Sequence, residues 1–212
     1  DVGATDIICV GRSMTPSLTT SGTHQTVLRG VLDVLLFAFT PTGQRRWATL
    51  YGGDSTEVAT GVSIDAGGNI FITGFTNSAS GIATAGTYQS TRPGIHSAEA
   101  FVAEFTSSGR LLWGTYYGGA ELDFPYAMTL TTSGDPVIGG WTWSSWGIAS
   151  GSAFSPSLRG DFDGFVARFT ATGALAWGSY YGGTGWEQIQ TVCATRDGNI
   201  LVGGWTDSDA GI

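Results

Sequence analysis

The stretch Phe101-Val-Ala-Glu-Phe-Thr106, followed by Trp113-Gly-Thr-Tyr-Tyr-Gly-Gly119, decides the fold because the chain writes it three times. Its copies are Leu35-Leu-Phe-Ala-Phe-Thr40 with Trp47-Ala-Thr-Leu-Tyr-Gly-Gly53, and Phe165-Val-Ala-Arg-Phe-Thr170 with Trp177-Gly-Ser-Tyr-Tyr-Gly-Gly183. Successive tryptophans lie 66 and 64 residues apart. A second register keeps the same spacing: Asn69-Ile-Phe-Ile-Thr-Gly74, Asp135-Pro-Val-Ile-Gly-Gly140 and Asn199-Ile-Leu-Val-Gly-Gly204. Asp6-Ile-Ile-Cys-Val-Gly11 opens that series one unit earlier. Two independent registers with one period define a repeat protein.

Each full unit holds four short strand candidates, at about 58–65, 69–76, 100–106 and 111–118 in the best-covered copy. Val, Ile, Thr, Phe, Tyr and Trp dominate them, residues that suit a pleated surface packed on both faces. The turns Thr40-Pro-Thr-Gly43, Thr106-Ser-Ser-Gly109 and Thr170-Ala-Thr-Gly173 end on glycine, as a tight hairpin with positive φ requires. Asp65-Ala-Gly-Gly-Asn69 and Thr195-Arg-Asp-Gly-Asn199 read as hairpins between the first and second strands. No segment sustains helical periodicity.

Four antiparallel strands at a fixed period predict an all-β fold of β-propeller blades, rather than a solenoid. The units run over 1–53 (lacking its innermost strand), 54–119, 120–183 and 184–212 (innermost two strands). That gives thirteen strands, three blade equivalents within a single propeller domain, open at both ends. The expected partners are therefore the remaining blades, from the same longer polypeptide or from other chains.

The composite Phe-Val-Ala-x-Phe-x-x-x-Gly-x-Leu-x-Trp-x-x-Tyr-Tyr-Gly-Gly resembles the bacterial beta-propeller repeat called SBBP. Gly61-Val-Ser-Ile-Asp-Ala-Gly-Gly-Asn-Ile-Phe-Ile-Thr-Gly-Phe-Thr76 and Thr84-Ala-Gly-Thr-Tyr-Gln89 carry the same likeness, which covers nearly the whole chain. The resemblance implies a secreted or surface-exposed bacterial protein with about seven blades, within the typical range of about 4–8. It brings no catalytic residues to carry over.

Composition excludes several functions. The 212 residues include 34 glycines and are only 12% charged, with a net charge of −8 and no lysine. This removes the basic footprint of a nucleic-acid binder. No phosphate-cradling Gly-x-x-x-x-Gly-Lys can exist without lysine, and no Gly-x-Ser-x-Gly elbow occurs. No apolar run is long enough to span a membrane as a helix. Cys9 and Cys193 have no cysteine near them, which excludes a CxxC site. Each lies in an apolar run and reads as a buried thiol, with a distant disulfide as the alternative.

Two acidic registers recur. Asp33, Glu99 and Asp163 precede the third strands, and Glu57, Asp123 and Glu187 follow each Tyr-Gly-Gly. Blade geometry puts both sets on one face of the wheel, the second nearer the axis as a channel-side ring. Carboxylates beside loops ordinarily accept backbone N–H bonds and fix the loop. The alternatives are a ligand-binding ring, or a calcium site for which Asp161-Phe-Asp163-Gly164 is the weak candidate. No other cofactor is expected.

The connections between second and third strands are long: 24 residues separate Thr76 from Phe101, and 22 separate Thr142 from Phe165. Ordered loops beyond about 12–15 residues are often functional. These connections hold Tyr88, Phe154, His24, His96, Trp143 and Trp146. Tyr88 and Phe154 are periodic equivalents and are expected to pack beneath the loop. Trp143 and Trp146 are not: Asn77 and Ser80 stand in their places, so the two indoles are the candidate contact surface. Trp47, Trp113 and Trp177 recur once per unit and read as packing between sheets. The expected function is a non-enzymatic extracellular propeller, a structural or adhesive component of a bacterial surface or surface filament. The alternative is a carbohydrate-binding propeller using Trp143, Trp146 and the acidic rings; an enzyme acting on polysaccharide ranks below both.

Overall fold

The computed structural model describes residues 6–15, 18–94 and 98–212. His96 lies outside the described residues. Thirteen strands and no helix are present among them, in four antiparallel sheets. The first sheet is β1 (Ile7–Ser13), β2 (Asp33–Phe39) and β3 (Arg45–Tyr51). The second is β4 (Glu57–Ile64), β5 (Ile70–Thr76), β6 (Glu99–Phe105) and β7 (Leu111–Tyr117). The third is β8 (Asp123–Leu130), β9 (Pro136–Thr142), β10 (Asp163–Phe169) and β11 (Leu175–Tyr181). The fourth is β12 (Glu187–Ala194) and β13 (Ile200–Thr206). Strand order within each sheet is chain order, the meander of a propeller blade.

Register repeats as faithfully as sequence. Each first strand carries a bulge, at Ala59/Gly61, Pro125/Ala127 and Ile189/Thr191. Each outer hairpin carries another, at Ala38/Phe39, Glu104/Phe105 and Arg168/Phe169. An extra residue on one strand kinks it and raises the local twist, which lets successive sheets fan rather than lie flat. The hairpin glycines behave as their sequence requires, with φ of 80° at Gly43, 77° at Gly109 and 78° at Gly173.

The core lies between sheets, not within one. Val34, Leu36 and Tyr51 of the first sheet pack against Ile70, Ile72, Phe101 and Phe105 of the second. Phe71 points the other way, joining Trp113 and Tyr117 against Ile138, Phe165 and Phe169 of the third. Both faces of β5 and β6 are therefore buried, which explains why these strands read as near-continuous apolar runs. The innermost strands follow one another, β4 against β8 and β8 against β12. Thr60 donates from β4 to the Pro125 carbonyl of β8 at 2.8 Å.

The once-per-unit tryptophans join adjacent sheets. Trp47 donates its indole N–H to the Ser107 carbonyl of the next unit, and Trp113 donates to the Ala171 carbonyl, both at 2.9 Å. Full burial of an indole this size contributes about 2–3 kcal/mol before the hydrogen bond is counted. Trp177 is only half-buried, because the fourth sheet supplies no outer hairpin for it to meet.

The same asymmetry corrects two expectations. Phe154 does not pack beneath its loop: it is 82% exposed. Its counterparts rest on an aromatic ring of the next unit's third strand, His24 near Phe105 and Tyr88 near Phe169. The fourth sheet has no third strand, so Phe154 has nothing to lie on. The cysteines are likewise free and exposed rather than buried. Ile8 and Val10 of β1 and Val192 of β12 face the core, so Cys9 and Cys193 point to the opposite faces, where this chain places no further sheet. Both thiols of the 212-residue chain are expected to react with a thiol-specific chromogenic reagent without denaturant. Reaction only after unfolding would contradict the exposed placement.

Candidate functional site

The structure brings the two acidic registers together in pairs. Asp33 meets Glu57, Glu99 meets Asp123, and Asp163 meets Glu187, each pair wrapped around the first glycine of a Gly-Gly turn. A Cβ on Gly52, Gly118 or Gly182 would stand 2.3–2.6 Å from the nearest carboxylate atom of each partner. All six side chains are buried, so none lines an open channel or presents itself to solvent as a ligand-binding ring. Every pair holds one Asp and one Glu, with the order reversed in the middle unit. The longer side chain on one strand is matched by the shorter on the other, which keeps the space around the glycine constant.

Their partners are the loops. Glu57 accepts the Thr76 and Ser78 hydroxyls on one oxygen, both at 2.5 Å, and the Gly53 N–H on the other at 2.9 Å. Glu187 repeats this with Thr206, Ser208 and Gly183, whereas Asp123 takes the Thr142 hydroxyl on one oxygen and the Ser144 hydroxyl with the Gly119 N–H on the other. Asp33 accepts from the Arg29 and Gly30 N–H groups and from the Gln25 amide. Asp163 accepts from the Arg159 and Gly160 N–H groups, and Glu99 from the Gly94 N–H. These bonds pin both ends of each long connection, the loop-fixing role an acidic residue beside a turn commonly plays.

Two carboxyl groups in one dry site resist ionising together. Burial pushes Asp123 up to about 6 against the pull of its hydroxyl and N–H donors. Glu99 and Asp123 close on the same glycine in a buried site, so the pair is expected to hold one proton between them rather than to ionise twice. Burial also raises Glu57, with the charge of Asp33 adding to it, and raises Asp163, with Glu187 adding.

Tyrosines hold the loops from above. Tyr51 and Tyr117 donate to the Ile82 and Ile148 carbonyls of the following unit, at 2.9 and 2.8 Å. Tyr116 and Tyr180 donate to the Ser78 and Ser144 carbonyls of their own units. The matching pieces Ser80-Gly-Ile-Ala83 and Trp146-Gly-Ile-Ala149 thus fold alike, with φ of 88° at Gly81 and 84° at Gly147.

Asp161 and Asp163 serve different partners. Asp163 is bound to its two backbone N–H donors, whereas exposed Asp161 accepts the Trp186 indole N–H at 3.2 Å. Among the described residues no group of three or more His, Cys, Asp or Glu side chains is arranged to hold a metal ion.

Surplus to this framework, an aromatic rim runs beside the buried pairs. Phe124 stacks on Trp141 at 5.0 Å and 22°, Trp141 lies 5.2 Å from Phe162, and Phe162 stacks on Trp186 at 5.3 Å and 25°. Trp143 joins at 5.8 Å from Trp141. Phe75 extends the row beyond Phe124, and Trp205 meets Phe162 edge-on. Trp143 is 44% exposed and Trp186 47%. Trp146, the other indole singled out by sequence, is exposed but shares no ring contact with this row among the described residues.

No family model matches the chain. Over 101 residues it is 26% identical to an uncharacterized WD repeat-containing protein of Acanthamoeba polyphaga mimivirus, 47% of this chain against 7% of that protein. The chain thus spans a small fraction of the relative's length. WD repeats build propeller blades of four strands, so the likeness agrees with the sheets described above.

The rim is where the units differ from one another. Phe162 occupies the place of Leu32 and Ala98, and Trp186 that of Thr56 and Leu122. Phe124 stands for Val58 and Gln188, and Trp143 for Asn77 and Asp207. Only the Trp141 position is aromatic in its neighbours, as Phe75 and Trp205. Sequence reading finds Trp143 by its lack of counterparts and misses Phe162 and Trp186, which the same comparison exposes.

Proposed function

We propose that this chain is a non-enzymatic extracellular propeller, a structural or adhesive component of a bacterial surface or surface filament, which works by contact along its aromatic rim. One observation carries the reading: side chains repeated in every unit are engaged in holding loops and sheets, while Trp143, Phe162 and Trp186 of the rim have no aromatic counterparts in the other units, and Trp143 and Trp186 are exposed. A residue needed by the fold recurs with the fold; a residue present in one sector alone serves something else. The periodic carboxylates fit a structural duty, since their oxygens are taken up by N–H and hydroxyl donors. The acidic, lysine-free surface and the SBBP-like repeats support an extracellular setting. No helix among the described residues is long and apolar enough to cross a membrane.

The test is retention on isolated bacterial surface material, with recovery of the bound material and analysis of its mass. Retention with the material chemically unchanged is expected. Turnover of that material, or no retention on any surface fraction, would overturn the proposal.

A further inference from the structure

We infer that the rim formed by Trp141, Trp143, Phe162 and Trp186 is a binding site for a neutral polysaccharide chain. The inference rests on the reading above, that the chain works by contact, and names the class of ligand.

The rim's chemistry is two-sided. Its indole and phenyl rings offer flat apolar area, part of it exposed at Trp143 and Trp186. Its polar border is rich in acceptors. Two of the three indole N–H groups are engaged: Trp186 donates to Asp161, and Trp141 to the Tyr126 hydroxyl at 3.3 Å. Asp207 accepts the Trp186 backbone N–H, and like Asp161 it is an exposed residue. A ligand that fits must therefore present apolar faces and a perimeter of hydrogen-bond donors. A pyranose ring does both, with C–H faces above and below and hydroxyls around its edge.

Two other ligands match less well. Proline-rich peptides also dock on aromatic surfaces, but proline has no N–H and would set carbonyl acceptors against carboxylate acceptors. Polyanionic glycans would meet carboxylates at the rim on a chain of net charge −8. A neutral chain avoids both conflicts. The row of ring contacts, from Phe124 through Trp141 and Phe162 to Trp186, suits a ligand with several similar residues in line.

The test uses the whole chain and a panel of neutral hexose polymers: β-1,3-, β-1,4- and α-linked glucans and mannans. Binding is followed by affinity electrophoresis and by the shift in tryptophan emission. At least one polymer is expected to bind. Trp186→Ala and Trp143→Ala should each weaken that binding at least tenfold with the melting temperature nearly unchanged, because both indoles are already half-exposed. Trp146→Ala, off the row, should bind as the parent does. The inference fails if no polymer binds, if Trp186→Ala binds as tightly as the parent, or if Trp146→Ala alone abolishes binding. It fails equally if a proline-rich peptide is captured through Trp186 and the polymers are not. Retention on surface material without binding to any polymer would sink this inference and leave the contact function standing.

Discussion

Gly118→Ala is expected to lower the melting temperature by roughly 10 °C or to prevent folding. The backbone at Gly118 is not in the left-handed region, so the loss is steric rather than conformational. A Cβ there would stand 2.3 Å from a carboxylate oxygen of both Asp123 and Glu99. Neither can step aside. Asp123 is held by Thr142, Gly119 and Ser144, and Glu99 by the Gly94 N–H, all in a site without exposed area. Relief would require breaking bonds to a buried charged group, each worth about 1.5–3 kcal/mol, on top of about 1–3 kcal/mol for overpacking. Gly151→Ala is the control, since a Cβ there meets nothing within 4 Å and its φ is ordinary. Thermal and urea unfolding of both variants provide the check. A Gly118→Ala protein melting within 2 °C of the parent would show that the carboxylate pair is loose, and the structural role assigned to all three pairs would fall with it.

That result bears on how much of this molecule could be read before its structure was known. Strand positions were legible to within one residue in the best-covered unit, because turns and β-rich runs repeat three times and each copy corrects the others. The acidic registers were legible as registers, yet their pairing was not, since partners lie 24 residues apart with the outer hairpin of a sheet between them. The clue was the exchange of Asp and Glu between registers in the middle unit, which makes sense only if the two side chains share one space. Phe154, Cys9 and Cys193 misled for a different reason. Their burial depends on the sheet that faces them, and equivalence along the chain says nothing about whether that sheet is supplied. Phe162 was hidden inside Asp161-Phe-Asp163, where the flanking carboxylates drew attention to cation chemistry and away from the ring between them.

The carboxylate pairs should also make the protein more stable in mild acid than at neutral pH, the reverse of a chain held by ordinary ion pairs. The direction follows from proton binding. Asp123 has its pKa raised by burial to about 6 in the folded chain, against an unperturbed value of 3.8 when exposed by unfolding. Between those values the folded state binds more protons than the unfolded one, so the free energy of unfolding falls as pH rises. The stabilisation is complete below about pH 4 and is lost progressively as pH rises through about 6. Glu57 and Asp163, also raised by burial, act in the same direction. Exposed Asp54 and Asp197 have lowered pKa values and act oppositely, but their window lies below the ordinary carboxylate range. The melting temperature is therefore expected to drop by several degrees, about 2–4 °C per kcal/mol for a chain of this size, between pH 4.5 and 7.5. Glu99→Gln separates this mechanism from a general effect of net charge. Its amide can donate to the Asp123 carboxylate without a shared proton, so the variant should melt higher than the parent at pH 7.5 and show a shallower slope. Some slope should persist, because the Asp33–Glu57 and Asp163–Glu187 pairs are untouched. A parent melting temperature that stays flat or rises over this range, or a Glu99→Gln slope equal to the parent's, would mean that the paired carboxyls carry no shared proton and that the loops are held by two full charges.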